Sequence, residues 1–410
     1  MATYANKLKG FVAMRLEKSM VAEALPLKHL WTGMMTSEEV AREMNLYIKD
    51  ASEKSSLYAQ DPASSAWLKY GFARIMDALP FVELEWEDDS DFDPNDTVFM
   101  ALDNNRIFGI MERRERILPG DTLRSEIDKE CNKLAKKQGE PVNRKQRMEI
   151  KDVVSARLLA KSLVRTRRIP VLIQESLNDP DVMDVFYFTT SHKIVEDLNA
   201  ALFRPAFGSF PVRPFENDLT LPIKLLLTRI LNHRDADDFP WDYFVPALSA
   251  KLVDNTSGGS AYSFKDQVLR GTGDDFDPLV KEALDQGYVV ENMAMRFWPK
   301  DPIDTPTEFV SFKMNAKAVF SGLKISDVLV AEQGSVEDDS ALMDFNAYMF
   351  LLADVLQSII GRLEDTSSIM SPERVRDDEE TEDLEVEVEV EVEVEVEVEV
   401  EETYNEDDEL

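Results

Sequence analysis

Charge is distributed so unevenly along this chain that one long stretch cannot lie in a core. Residues 106–168 hold eighteen Lys and Arg against nine Asp and Glu, a local balance of +9 in a chain of formal charge −34. No Phe, Trp or Tyr occurs from 109 to 185. Such a stretch must stay solvated, and it reads as two helices, 121–138 and 143–168, broken at Gly139-Glu140-Pro141. Two readings remain open for its cations. They form a site for a polyanion, since Lys and Arg on phosphates release counterions and give sequence-independent affinity, or they form the ion pairs of a solvated hairpin.

Helical geometry sharpens the first reading. At about 100° per residue, Arg144, Arg147, Lys151, Arg157, Lys161, Arg165 and Arg168 fall within an arc of about 140° on the second helix. Arg113 and Arg114 lie just upstream. Val154 and Leu158 share the arc, whereas Lys145 and Arg167 fall outside it. Without aromatic residues in the stretch, tracking the backbone of a duplex fits better than stacking on single-stranded bases.

The opposite extreme lies at the far end. Residues 377–410 contain twenty acidic residues and no Lys or Arg, so residues 1–376 carry only −14. Within the tail, 385–400 is eight successive Glu-Val dipeptides. As a strand it would place every Glu on one face and every Val on the other. Eight like charges on one face repel at neutral pH, so disorder is the expectation for 371–410. The lone Cys131 excludes an intramolecular disulfide and fits a reducing compartment. Neither a signal peptide nor a membrane-length apolar run is evident. A cytoplasmic protein is expected.

Elsewhere helices and strands mix without a βαβ rhythm, which points to the α+β class. Residues 9–16 read as a strand, 17–80 as largely helical with a start at Ser37-Glu38-Glu39, and 81–87 as a strand. Residues 97–102 and 106–111 read as a hairpin. Further strands are expected at 170–174, 182–189, 210–215, 288–298 and 307–314, and helices at 191–203, 221–231 and 275–286. In 341–363, Leu342, Phe345, Met349, Leu352, Leu356, Ile359 and Leu363 are spaced 3-4-3-4-3-4. That seam suits a helix pairing across subunits, and it equally suits a helix facing its own core.

Signatures of nucleotide binding, zinc binding and acyl transfer are absent, so neither a cofactor nor a metal is expected. The remaining catalytic option is a magnesium nuclease using Asp121 with Glu149-Ile150-Lys151. In a helix this rich in cations, however, that Glu reads more simply as an ion-pair partner.

Several collinear segments then resemble the RdgC family of bacterial recombination-associated proteins. They include residues 8–16 (LKGFVAMRL), 113–119 (RRERILP), Leu158-Leu159, 207–214 (FGSFPVRP), 219–221 (LTL), 286–290 (QGYVV) with 293–297, and Leu323-Lys324. The resemblance implies a subunit with a central mixed α/β body (1–115 and 170–215), a basic helical tip (116–169) and a helix-containing base (216–370) with a dimerisation helix at 341–363. It implies a homodimeric ring around double-stranded DNA, closed at tip and base, that restrains a RecA-type recombinase and is associated with the nucleoid. Lys265-Asp266-Gln267 is similar to a family Lys-Lys-Gln whose last two residues contact DNA, which makes Lys265 and Gln267 DNA-binding candidates, while Asp266 replaces a Lys and weakens that contact. Leu163 stands where a family Phe packs across the tip, which puts tip closure in question. Two other functions stay in view: an acidic, DNA-mimicking partner-binding module built on the tail, and the metal-dependent exonuclease.

Overall fold

The computed structural model describes residues 8–20, 35–63, 65–81, 93–232, 244–254, 261–265, 278–300, 307–332 and 341–371. The expected strand at 81–87, apart from Phe81, and the acidic tail beyond Ser371 lie outside these residues. The strands are β1 (Gly10–Glu17), β2 (Leu68–Phe72), β3 (Phe99–Asp103), β4 (Arg106–Ile117), β5 (Leu163–Glu175), β6 (Val182–Tyr187), β7 (Val212–Pro214), β8 (Phe244–Asp254), β9 (Ala261–Lys265), β10 (Tyr288–Phe297), β11 (Val310–Asn315) and β12 (Val319–Ile325). The longer helices are α1 (Ser37–Lys54), α2 (Gly120–Gln138), α3 (Arg144–Leu159), α4 (His192–Leu198), α5 (Ile223–Asn232), α6 (Pro278–Asp285), α7 (Asp327–Glu332) and α8 (Ala341–Ile369). The class is α+β, as the mixed pattern predicts.

All described strands join one antiparallel sheet in the order β2-β4-β5-β6-β1-β12-β11-β10-β8-β9, with β3 on β4 and β7 on β1. β1 shows why it sits at the centre. Apart from the buried Arg15, its run FVAMRL is apolar on both faces, as suits a strand covered on both sides. Phe11 and Ala13 enter one core with Phe108, Ile110, Leu172, α5 and α8. Val12, Met14 and Leu16 enter the other with Ile107, Ile173, Tyr187 and the apolar face of α1. The ladder Gly10↔Ser321 to Val12↔Val319 carries the sheet from β1 into β12 without a break.

Local chemistry sets the element ends. Thr36 caps α1 in a reciprocal box with Glu39, one residue before the expected start. Asn45 of α1 is buried and anchors β3, donating to the Phe99 carbonyl and accepting from the Val98 and Phe99 amides, all at 2.9 Å. Of the expected helical stretch 17–80, residues 21–34 and 64 lie outside the described residues, and the described remainder is only partly helical. Beyond α1 it supplies β2 and a one-turn helix, Ile75–Ala78. Gly71 of β2 is required sterically, since a Cβ there would lie 2.4 Å from the Ala59 Cα.

The seam of α8 is taken up inside the chain. Phe345, Met349, Leu352, Leu356, Ile359 and Leu363 are all buried in the core shared with α5 and the sheet. The Phe345 ring lies 5.7 Å from the rings of both Phe81 and Phe108. Leu342 lies on the same helix. The other side of α8 is bonded to the body: Gln174 Nε2 donates to the Ala353 carbonyl at 3.2 Å, and Gln357 Nε2 to the Glu175 carbonyl at 2.9 Å. These six side chains are taken up by the chain's own core, as the core-facing reading of the 3-4 spacing expects.

A buried ionic cluster ties α8 to the centre of the sheet. Arg15, 2% exposed, bonds Asp184 and Asp218 at 3.1 Å each, pairs with Glu364 of α8, and stacks on Phe215. Burial alone would lower the basicity of Arg15, but its three carboxylates outweigh that and raise it. Burial pushes the Asp184 carboxyl up to about 7 despite Arg15 beside it, with Glu364 and Asp218 adding to the rise.

Candidate nucleic-acid interface

The basic stretch folds as an arm. β4 and β5 pair continuously from Arg106↔Gln174 to Ile117↔Leu163, and α2 and α3 form the helical hairpin that connects their far ends. Near the sheet both strands are buried. Beyond Glu112 and Ile169 they lose the core. β2 pairs with β4 as far as Glu115, so this outer ribbon has three strands.

Gly139, at φ 73°, ends α2, and Asn143 caps α3 in a reciprocal box with Gln146. This is the break read at Gly139-Glu140-Pro141. The second helix, however, stops at Leu159 rather than running to 168. Arg116 donates to the Leu159 and Ser162 carbonyls at 3.3 Å each and fixes the turn. From Leu163 the chain is a strand. Lys161 therefore lies in a turn, and Arg165 and Arg168 lie on β5, off the helical stripe drawn from the sequence. Twelve ladder positions against β4 override a helical periodicity that the sequence merely permits.

On α3, much of the remaining stripe faces α2. Val154 is buried with Ile127 and Cys131 in a small hairpin core, against which Ile150 and Leu158 pack. Arg147 pairs with Asp128 at 2.8 Å, and Arg157 pairs with Glu126 at 3.2 Å and Glu130 at 3.6 Å. Arg113 is paired with Glu115, and Arg114 with Glu112 and Asp61. Arg168 holds Glu112 at 3.2 Å and donates to the Ala78 and Asp77 carbonyls, so it fastens the ribbon to the body.

What remains is a smaller set of unneutralised cations. Among the described residues, no carboxylate pairs with Arg124, Lys136, Lys137, Arg144, Lys145, Lys151, Lys161, Arg165 or Arg167. Arg124, Arg144, Arg147 and Lys151 surround a groove of about 390 Å³ whose floor includes Leu123, Ile127 and Met148. Arg165, Thr166, Arg167 and Arg168 line a second hollow of about 520 Å³ with Phe188. Sequence reasoning passed over Arg167 because it lies off the helical arc. Its period-two relation to Arg165 is the signal that finds it.

Leu163, where the resemblance places a tip contact, is 81% exposed and sits opposite the exposed Ile117. Lys265 is the last residue of β9 and pairs with Ser249, while Gln267 lies outside the described residues. Asp121 and Glu149 join no metal-sized cluster. No group of three or more His, Cys, Asp or Glu able to hold a metal occurs among the described residues. No described helix is long and apolar enough to cross a membrane.

A mixed α+β body whose longest strands extend into a basic helical hairpin defines the class. The chain belongs to the RdgC family: the family model described as "Putative exonuclease, RdgC" matches residues 92–367. It is 26% identical over 259 residues to the recombination-associated protein RdgC of Shewanella denitrificans, covering 63% of this chain and 77% of the relative. To the protein of the same name from Pseudomonas syringae pv. syringae it is 26% identical over 240 residues, 58% of this chain and 70% of that one.

Proposed function

We propose that this protein holds double-stranded DNA without reading its sequence, through the basic arm, as a non-catalytic clamp that modulates homologous recombination. One observation carries the reading: cations without carboxylate partners collect on the arm, in the α2–α3 groove and along the β5 edge, in a chain that is otherwise acidic. Charges left unneutralised on a projecting ribbon are suited to phosphates, which give affinity and no sequence preference. Arg147 and Arg157, held by α2 carboxylates, serve chiefly to keep the hairpin closed.

The clamp is a homodimeric ring in this proposal. Leu163 and Ile117 supply an exposed apolar pair at the tip for a self-complementary contact on a two-fold axis. Restraint of a RecA-type recombinase follows if DNA inside the ring is withheld from it, and the site of action is then the nucleoid in the cytoplasm. Reversal of Arg144, Lys151, Lys161 and Arg165 to Glu tests the arm. Duplex binding by anisotropy should disappear while the circular-dichroism spectrum is kept. Normal binding by the folded variant would place the site elsewhere.

A further inference from the structure

The outer ribbon carries an exposed aromatic ring that the basic stretch itself lacks. Trp67 immediately precedes β2 and lies outside the matched residues 92–367. Its backbone is held in place. The Arg116 amide donates to the Trp67 carbonyl at 2.8 Å, which carries the β2–β4 pairing one residue beyond Leu68↔Glu115. The side chain nevertheless stays 48% exposed, although Trp is a highly buried residue on average and Trp298 of this chain is 5% exposed.

The surroundings of the ring are positively charged. Residues opposite one another in an antiparallel pair share a face. Trp67 therefore stands in one row with Arg116 and Val164, and the next row on that face is Lys69, Arg114 and Thr166. Arg116 donates to the Leu159 and Ser162 carbonyls and to that of Pro62, at 2.8 Å. All three acceptors are neutral, and its buried Nε has no acceptor among the described residues. Lys161 lies in the turn between Leu159 and Ser162 that Arg116 holds. No described carboxylate pairs with Lys69, Arg116 or Lys161. The acidic groups of this face are already engaged: Asp61 and Glu112 bond Arg114, and Glu112 also bonds Arg168.

A duplex backbone makes use of the cations and leaves the indole idle. An unpaired base uses both, since its π-face stacks on an aromatic ring while the adjoining phosphates meet the cations. Bases within a duplex are covered by their neighbours and offer no such face.

We propose that Trp67 is a stacking platform for an unpaired base, with Lys69 and Lys161 on the phosphates beside it, so that the arm prefers duplex DNA ending in a single-stranded overhang. This specificity rests on the DNA-binding reading above and adds the substrate class to it. Residues 109–185 hold no aromatic side chain for stacking; the fold supplies one from β2's end of the ribbon.

The test is anisotropy of the full chain on three labelled probes. They are a blunt duplex, that duplex with a short thymine overhang, and that duplex with an equally long overhang of abasic sites, which keeps the phosphates and removes the bases. The thymine overhang should be bound about tenfold tighter than the abasic one, the scale of one base stacked on an aromatic ring. Trp67→Ala should erase that difference and leave the blunt-duplex affinity unchanged, whereas Trp67→Phe should keep most of it. Equal affinity for the two overhangs in the wild type, or a preference that survives Trp67→Ala, overturns the proposal and leaves the DNA-binding reading standing. Failure of the wild type to bind any probe overturns that reading and this one with it. A lower mass of Trp67→Ala by light scattering would make the indole a subunit contact and would also overturn the platform.

Discussion

Arg165→Ala with Arg167→Ala tests the division between free and paired cations. Both arginines are exposed on β5, and no described carboxylate neutralises either. If each contacts one phosphate, the slope of log affinity against log salt should become less steep by about 1.8, at about 0.9 per contact. The same relation makes each contact worth about eightfold at ~0.1 M salt, so the double variant should lose roughly 60-fold in affinity. The comparison is Arg147→Ala with Asp128→Ala, which deletes an exposed 2.8 Å pair as a unit. Such a pair contributes about 0–1 kcal/mol to stability and, being locally neutral, little to the slope. Anisotropy of a labelled duplex over a salt series measures both. An unchanged slope in the arginine double variant, or an equal loss on deleting the neutral pair, would show that the free arginines do not carry the phosphate contacts.

Three other predictions follow from the core, the ionic cluster and the tip. Phe345→Ala should cost about 3–5 kcal/mol in denaturant unfolding, as for a large buried aromatic, without changing the mass of the folded species by light scattering; a clean halving of that mass with stability kept would restore the subunit-contact reading of α8. Asp184, with its folded pKa raised to about 7 from an unfolded 3.8, keeps its proton in the folded chain where the unfolded chain has lost it. Its contribution is therefore fully present below about pH 4 and declines by about 1 kcal/mol per pH unit up to about 7. Asp184→Asn should remove that decline, and parallel stability-against-pH curves for the two proteins would contradict it. Leu163→Cys should form an intersubunit disulfide on mild oxidation, visible on a non-reducing gel, while the buried Cys131 stays reduced; a monomer band alone would argue against tip closure.

Much of this fold is legible in the sequence, and the exceptions have identifiable causes. β1 announces a doubly covered strand by being apolar in both parities. The 99–117 hairpin and the break between α2 and α3 follow from turn residues and caps that act locally. The start of β5 does not. Residues 163–169 (LVRTRRI) fit a helical stripe about as well as a strand, and the choice is made by pairing with β4, some fifty residues upstream. The candidate site suffers from the same cause. Which cations are free depends on where Glu126, Asp128 and Glu130 of α2 meet α3, a matter of hairpin packing that no local pattern encodes. The 3-4 spacing of α8 was ambiguous for a different reason, since a core face and a coiled-coil seam demand the same residues. The Arg15 cluster joins residues up to 349 positions apart and has no local signature.

In the proposed function the arm binds duplex DNA by its phosphates. The most direct test is anisotropy of the full chain on two duplexes of equal length and unrelated sequence, each followed over a salt series. Phosphate contacts are blind to sequence, so both duplexes should bind with the same affinity within about threefold and with the same steep negative slope. Absent or salt-independent binding, or a preference of a hundredfold or more for one duplex, would contradict it.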